Sequence, residues 1–486
     1  MNMLTLWLAL IAVVLIAAAL VSGIISRAPL SFPMLFFGLG IVLGQGVLGV
    51  VSIMPHTPAL TAVATLSLAL VLFLDAVNLQ VDELRRDWRV TVLSLGPGTL
   101  FTLAGVAVAA HLLLGTSLVN SLLLGAVLAS TDPVVLRDIV RNERIPRSIR
   151  RALSVEAGMN DVVLLPIVLI LIAISSGVTH GALGWIGFLL RLLLLSPAVG
   201  LVIGGVGAWL MGRADARFSV PHSYQALYGL GLVLASYSAA QAIGGDGFLA
   251  AFFGGLAVAI FDVTLCDCFL EYGEVTAEMA MLLTFLLFGA ALGPLFGSIP
   301  LVAALALAVV AVGIVRPVVI ELLMRRAKMS RPARAFMGWF GPRGLSALLL
   351  ALLVVEANAP DALRLFTVTG TVVAFSIVVH GVTATPFSNW YARTVAKPRE
   401  VAPEEREATA SGLFRQDASD IPRITVTELA HALQSADPPI VLDVRTRGQY
   451  DADAARIPGS VRVLPDQVRQ WAATADHTRT VVAYCT

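Results

Sequence analysis

The chain has 486 residues, 57% of them hydrophobic and only 13% charged, far from the roughly one-quarter charged residues of a soluble domain. That composition excludes a soluble protein over most of the length and places the chain in a bilayer. The net charge of +1 hides a segregation, long stretches without charge and short connectors with several of one sign, and so excludes the basic face that nucleic-acid binding needs.

Three cysteines, Cys266, Cys268 and Cys485, make no disulfide framework, since two of them are too close for relaxed pairing. No redox or metal centre and no cofactor are expected from them. The first apolar stretch, Leu4 to Gly23, has no basic n-region and no cleavage site of small residues, so it reads as a first transmembrane helix and not a signal peptide.

A helix needs about 20 apolar residues to cross the hydrocarbon core. Cut at its polar and Gly/Pro-rich breaks, the sequence gives about thirteen spans. They lie near 4–23, 30–50, 58–77, 90–114, 117–139, 150–175, 182–211, 222–242, 246–262, 276–297, 299–324, 333–356 and 362–387. The expected class is an all-α polytopic membrane protein with two discontinuous helices and inverted repeats. Arg85, Arg86 and Arg89, then Arg137 to Arg151, Arg213 and Arg217, and Arg325 to Arg334 fall in connectors on one side when the spans alternate. Because short cytoplasmic loops collect Arg and Lys, the N-terminus is expected outside and the C-terminus in the cytoplasm of a bacterial inner membrane. Near residue 393 the composition turns to Pro, Glu, Ala and Ser. The expected division is a membrane domain at 1–393, a linker at 394–423 and a soluble α/β segment at 424–486. In that segment Thr425 opens a short helix, and Ile440 to Val444 and Val481 to Tyr484 are strands.

Ionisable groups inside apolar spans are costly and are functional candidates by default. The short set is Asp132, Glu156, Asp161, Arg316 and Arg343. Asp132 precedes Pro133 in the fifth span, and proline removes a donor and disfavours helical geometry at the residue before it. A break in mid-membrane is tolerated where it lines a cavity, and its half-helix ends can hold an ion. The plain alternative is a proline kink capped by Thr131. Span twelve carries a matching interruption, Trp339 to Gly344, and paired interruptions point to an inverted repeat with a binding site between its halves. Here they bear opposite charges: Asp132 suits helix N-termini and Arg343 suits C-termini, unless Arg343 only snorkels from the end of its span. In span six, Glu156 and Asn160 share a helix face and Asp161 is turned about 100° from Asn160. Two carboxylates this close do not both stay ionised and free. Arg316 is assigned to Glu156 as a structural ion pair, which leaves Asp161 to alternate between proton and cation; the reverse assignment stays open. His380, His111 and Arg191 read as packed or interfacial residues.

At these residues the chain resembles the bacterial monovalent cation:proton antiporter-1 family. The likeness covers roughly the first 390 residues and rests on Thr131-Asp132-Pro133, Asn160-Asp161, Arg316, Gly341 to Gly344, and Phe375-Ser376 with His380-Gly381. It implies a homodimer with a mobile core of spans four to six and eleven to thirteen. It also implies a site for sodium, lithium or potassium at the Asp161 side chain, the Thr131 backbone and a glutamate-anchored serine, with Asn160 nearby and Glu156 bridged to Arg316; Asp132, read from its broken span, joins Asp161, Asn160 and Thr131 as an ion-binding candidate. The chain departs at the serine, where Ala157 follows Glu156. Members with Asn-Asp in span six look electroneutral, so one cation is expected to move against one proton, with sodium first, in pH and sodium homeostasis. Potassium:proton exchange and a cation channel are the alternatives.

The tail resembles a rhodanese domain through Val441 to Arg445, Ile457-Pro458-Gly459 and Val481 to Tyr484 leading into Cys485. In that family the cysteine carries a persulfide within a loop of backbone amides. With only Thr486 after Cys485, no sulfurtransferase activity is expected.

Overall fold

The computed structural model describes residues 31–79, 88–132, 145–177, 181–261, 263–327, 329–395, 424–435, 438–444, 455–463 and 479–484, with a few short stretches between. Most of the expected first span, Pro133, Arg137, the linker and Cys485 lie outside these residues, as do the side chains of Cys266 and Cys268. The chain divides into two compact units, Met1–Leu413 and Phe414–Thr486.

The first unit is helical. Its elements are α1 (Phe32–Leu43), α2 (Pro58–Val77), α3 (Trp88–Leu93, a π-helical turn at Ser94–Gly98, then Thr99–Leu114), α4 (Leu118–Ala129) and α5 (Arg147–Ser176). Then come α6 (Gly181–Leu190, a π turn at Arg191–Leu195, then Ser196–Phe218), α7 (His222–Ala242), α8 (Gly247–Phe261) and α9 (Val263–Leu292). The set closes with α10 (Leu301–Val310, a π turn at Ala311–Val315, then Arg316–Met324), α11 (Arg331–Trp339), α12 (Leu345–Glu356) and α13 (Ala362–Val395). Among the described residues seven helices are long and apolar enough to cross a membrane, and α1, α4, α8 and α12 are shorter apolar ones. Two of the short ones have a physical cause: α4 stops at Ala129 and α12 starts at Leu345 because their spans are broken there.

The π turns sit at prolines. Pro97 lies inside the first, and Pro197 and Pro317 come two residues after the ends of the other two. A proline has no N–H for the carbonyl one turn back, and a widened turn absorbs the loss while releasing carbonyls. Hydroxyls take two of them: Thr99 donates to the Ser94 carbonyl at 3.3 Å and Ser196 to that of Arg191 at 2.8 Å.

Without a hydrophobic drive between helices in lipid, close packing depends on small residues. α6 meets α8 backbone to backbone at Gly200 and Gly204, where a methyl group would run into the Ala250 and Gly254 carbonyls. Gly40 and Gly44 seat α1 on α9 in the same way, against Leu286 and Ala290.

In the second unit α14 (Val426–Ala432) begins with a capping box. The Thr425 hydroxyl accepts from the Glu428 amide at 3.2 Å, and the Glu428 carboxylate, held below its usual range by that partnership, accepts from the Thr425 amide at 2.8 Å. Strands β1 (Ile440–Asp443), β2 (Val461–Arg462) and β3 (Val481–Tyr484) form a parallel sheet in the order β2-β1-β3. Asp443 is buried and accepts from the Tyr484 hydroxyl at 2.8 Å, with the Arg462 guanidinium 3.4 Å away.

Candidate functional site

Among the described residues of the first unit, the charged side chains that are buried are Asp132, Glu156, Asp161, Arg316 and Arg343. They gather around two interrupted helices. After α4 the chain leaves helical geometry at Ser130 (φ −59°, ψ 135°), and after α11 it does so at Phe340 (φ −82°, ψ 83°). The two extended segments touch: the Asp132 amide donates to the Pro342 carbonyl at 2.9 Å.

The contact leaves helix ends that need partners inside the protein, because an unsatisfied backbone group in the membrane interior costs several kcal/mol. The Asp132 carboxylate accepts from the Leu345 amide at 2.5 Å and so stands at the N-terminus of α12. Arg343 is fully buried and reaches the Ser130 carbonyl at the C-terminal end of α4 at 3.4 Å. Each charge therefore faces the helix end of opposite polarity. Gly344 and Gly341 permit the approach, since a methyl group on the first would strike the Asp132 carboxylate and one on the second the Arg316 guanidinium.

Arg316, released at the π turn of α10, joins three elements. Its Nη1 lies 2.5 Å from Glu156 Oε1 on α5, and its Nη2 donates to the Phe340 carbonyl at 3.2 Å and to that of Met337 at 3.5 Å. Glu156 is thereby committed to a guanidinium that also caps the end of α11.

Asp161 is placed differently. The Ser130 hydroxyl donates to its Oδ1 at 2.5 Å, while its Oδ2 is buried with no hydrogen-bond partner among the described residues. Ser346, buried at the start of α12, faces the same carboxylate without satisfying that oxygen. Asn160 is fully engaged: its amide nitrogen donates to the Ala129 carbonyl at 2.9 Å and to Thr131 Oγ1 at 3.2 Å, and its oxygen accepts from Thr99 at 3.1 Å. It laces α3, the end of α4 and α5 together. Thr131 is buried beside it. A carboxylate oxygen without a protein donor, beside hydroxyls and broken helices, has the chemistry to hold a partly dehydrated monovalent cation or a proton.

Residues 11–390 match the family model for the transmembrane sodium/hydrogen exchanger. The chain belongs to that family. It is thus an integral membrane protein from a family of transporters, and residues 425–486 match the rhodanese-like domain. The K(+)/H(+) antiporter NhaP of Alkalimonas amylolytica is 25% identical over 83% of this exchanger-family chain and 70% of its own length. The K(+)/H(+) antiporter NhaP2 of Shewanella sp. strain ANA-3 is 26% identical over 76% of the chain and 64% of its own. Among solved structures, the sodium proton antiporter MjNhaP1 of Methanocaldococcus jannaschii at pH 8 superposes with a TM-score of 0.67 at 18% identity, covering 80% of this chain and 98% of that one. That likeness fixes the shared fold.

Four residues near these buried charges escape a sequence reading. Ser130, Ser346 and Thr99 are hydroxyls in apolar helices, where they draw no notice. Asp75 on α2 is half-buried and faces Gly158 of α5, whose added methyl group would lie 3.6 Å from the Asp75 Cβ. The signal for Asp75 was present, a carboxylate within an apolar span, but its place two residues from the end of α2 resembles an interfacial charge.

Proposed function

We propose that the chain is a secondary active antiporter exchanging a monovalent cation, sodium first, for protons by alternating access at Asp161. The observation that carries this reading is the buried Oδ2 of Asp161, left without a donor on a carboxylate that, among the described residues, no guanidinium neutralises, whereas Glu156, whose Oε2 is also without a donor, has its charge matched by Arg316 at Oε1. A bare carboxylate is unfavourable in low dielectric. Only its protonated or cation-bound form crosses between the two sides, and competition for one oxygen couples the two ions.

Asn160 adds no charge, since its amide does not titrate, and the protein occupies its donors and its acceptor. One carboxylate then exchanges one cation for one proton, without net current. Asp132 holds the crossing, and Thr131 supplies backbone to the site. Potassium is the second reading, supported by the name K(+)/H(+) antiporter carried by relatives 25% and 26% identical. We further propose a homodimer in a bacterial inner membrane, with Arg213 and Arg217 at the end of α6, Arg325 after α10 and Arg334 in the first turn of α11 on the cytoplasmic side, and a role in pH and cation homeostasis.

The test is the full chain in vesicles holding a trapped pH dye, with sodium, lithium or potassium gradients imposed on wild type and Asp161→Asn. Expected is dye dequenching with at least one cation and none in the variant. Proton movement without any cation requirement would sink the reading, and large uncoupled currents would make the protein a channel.

A further inference from the structure

His380 on α13 is buried and lies against the break between α11 and α12. Its Nε2 is 2.9 Å from the Trp339 carbonyl, the last helical residue of α11. A carbonyl only accepts, so the ring holds the end of α11 in the form with its proton on Nε2. On the other side of the ring Nδ1 lies 3.1 Å from the Ser376 hydroxyl and 2.8 Å from the Ser376 carbonyl. The same hydroxyl accepts from the Arg343 amide at 2.7 Å, just before α12. Having accepted there, it keeps its own proton to give to Nδ1. In the Nε2–H tautomer one directed chain runs from the Arg343 N–H to Ser376 Oγ, from the Ser376 O–H to His380 Nδ1, and from His380 Nε2–H to the Trp339 carbonyl; in the Nδ1–H tautomer the ring gives its proton to the Ser376 carbonyl and the arm to Trp339 is lost.

We infer that His380, acting with Ser376, is a positioning residue that braces both edges of the break and thereby sets where the Asp132 carboxylate and Leu345 amide meet beside Asp161. The inference rests on the exchanger reading for its effect on transport, though not for the brace itself. The polar and charged neighbours are consistent with a neutral, two-sided linker. The positive charges of Arg343 and Arg316 both act on the ring, and a further positive charge there would have no carboxylate partner of its own, Glu156 being taken by Arg316. Trp339 stands against the ring, 6.0 Å away between centroids and tilted by 51°, and is itself pinned through its indole N–H to Thr383 at 3.0 Å. A histidine serving only as filling would be replaceable by any side chain of its size. A brace needs a donor at one end and an acceptor at the other, which glutamine offers and leucine does not.

The experiment uses the purified full chain and two readouts. Amide hydrogen exchange is followed over residues 339–345, and the cation KM and Vmax are measured in vesicles per amount of folded protein. In His380→Leu, exchange at Arg343 and Leu345 and the cation KM are each expected to rise about tenfold, the weight of one buried hydrogen bond lost, while Vmax stays within about twofold. His380→Gln is expected to restore both. Ser376→Ala cuts only the arm to Arg343 and is expected to raise exchange there; it carries the test if the leucine variant does not fold. Wild-type exchange rates in Ser376→Ala and His380→Leu, or leucine and glutamine behaving alike, would overturn the brace. If wild type moves no cation against protons, the exchanger reading fails, while the amide exchange still decides the brace.

Discussion

The carboxylate of Asp132 and the backbone amide of Leu345, 213 residues apart in sequence, meet at 2.5 Å in the interior of the bundle. The contact joins the broken end of α4 to the start of α12, so a single side chain caps one half-helix while belonging to the other. Asp132→Asn keeps an acceptor and removes the charge, and the loss is that of a charge at a partly buried helix terminus, up to about 2 kcal/mol. Asp132→Ala removes both and leaves the amide bare, with a further cost of about 1–3 kcal/mol. Thermal unfolding in detergent checks the order: wild type above asparagine, asparagine above alanine.

The pair of Arg316 with Glu156 supports a sharper test, because both groups are buried. Breaking a buried pair from one side strands a charge and costs about 3–5 kcal/mol, whereas replacing both with apolar or neutral groups of like volume is close to neutral. Glu156→Gln and Arg316→Met are each expected to reduce stability strongly. The double variant is expected to recover part of the loss, although the Phe340 and Met337 carbonyls then lack their donor. A double-mutant cycle on melting temperature measures the coupling, and additive losses would show that the two side chains act separately.

The spans and the buried charges were legible because both are composition effects. A run of apolar residues crosses the core, and a charge inside such a run stands out whatever it touches. The interruption at Phe340 to Gly344 was legible from Gly341, Pro342 and Gly344 standing together. The crossing was not, since the bond from the Asp132 amide to the Pro342 carbonyl has no local signature. Ser130 was hidden for another reason. Hydroxyls in apolar helices commonly bond to the carbonyl one turn back, as Thr367 does to Leu363 and Thr371 to Thr367, and nothing in the sequence separates Ser130, which turns instead to Asp161.

Gly344 and Gly341 give a steric prediction. Their backbones lie so close to the Asp132 carboxylate and the Arg316 guanidinium that an added methyl group overlaps each charged group. Neither group has room to retreat, because both are buried, Arg316 is held by Glu156 and the Phe340 carbonyl, and the Asp132 carboxylate is held by the Leu345 amide. Overpacking of this kind costs about 1–3 kcal/mol or more. Gly344→Ala and Gly341→Ala are expected to lower the yield of folded protein, read as the monodisperse peak in detergent chromatography. Gly313→Ala is the control, with open space around it, and is expected to match wild type.

Ser130 provides the last test, aimed at the site itself. Its hydroxyl donates to Asp161 Oδ1 at 2.5 Å, and a donor of this kind favours the ionised carboxylate, the form that receives a cation. In Ser130→Ala the proton becomes the stronger competitor for the same oxygens. At a fixed pH the cation concentration for half-maximal exchange is then expected to rise by about threefold to tenfold, the equivalent of one hydrogen bond to a charged group. Raising the pH removes the competing proton and is expected to bring the variant back toward wild type. Asp161→Asn has no carboxylate to titrate and is expected to show no recovery at any pH. A Ser130→Ala variant with unchanged cation dependence across pH would separate this hydroxyl from the exchange, while a uniform loss of rate with unchanged dependence would make its role one of folding alone.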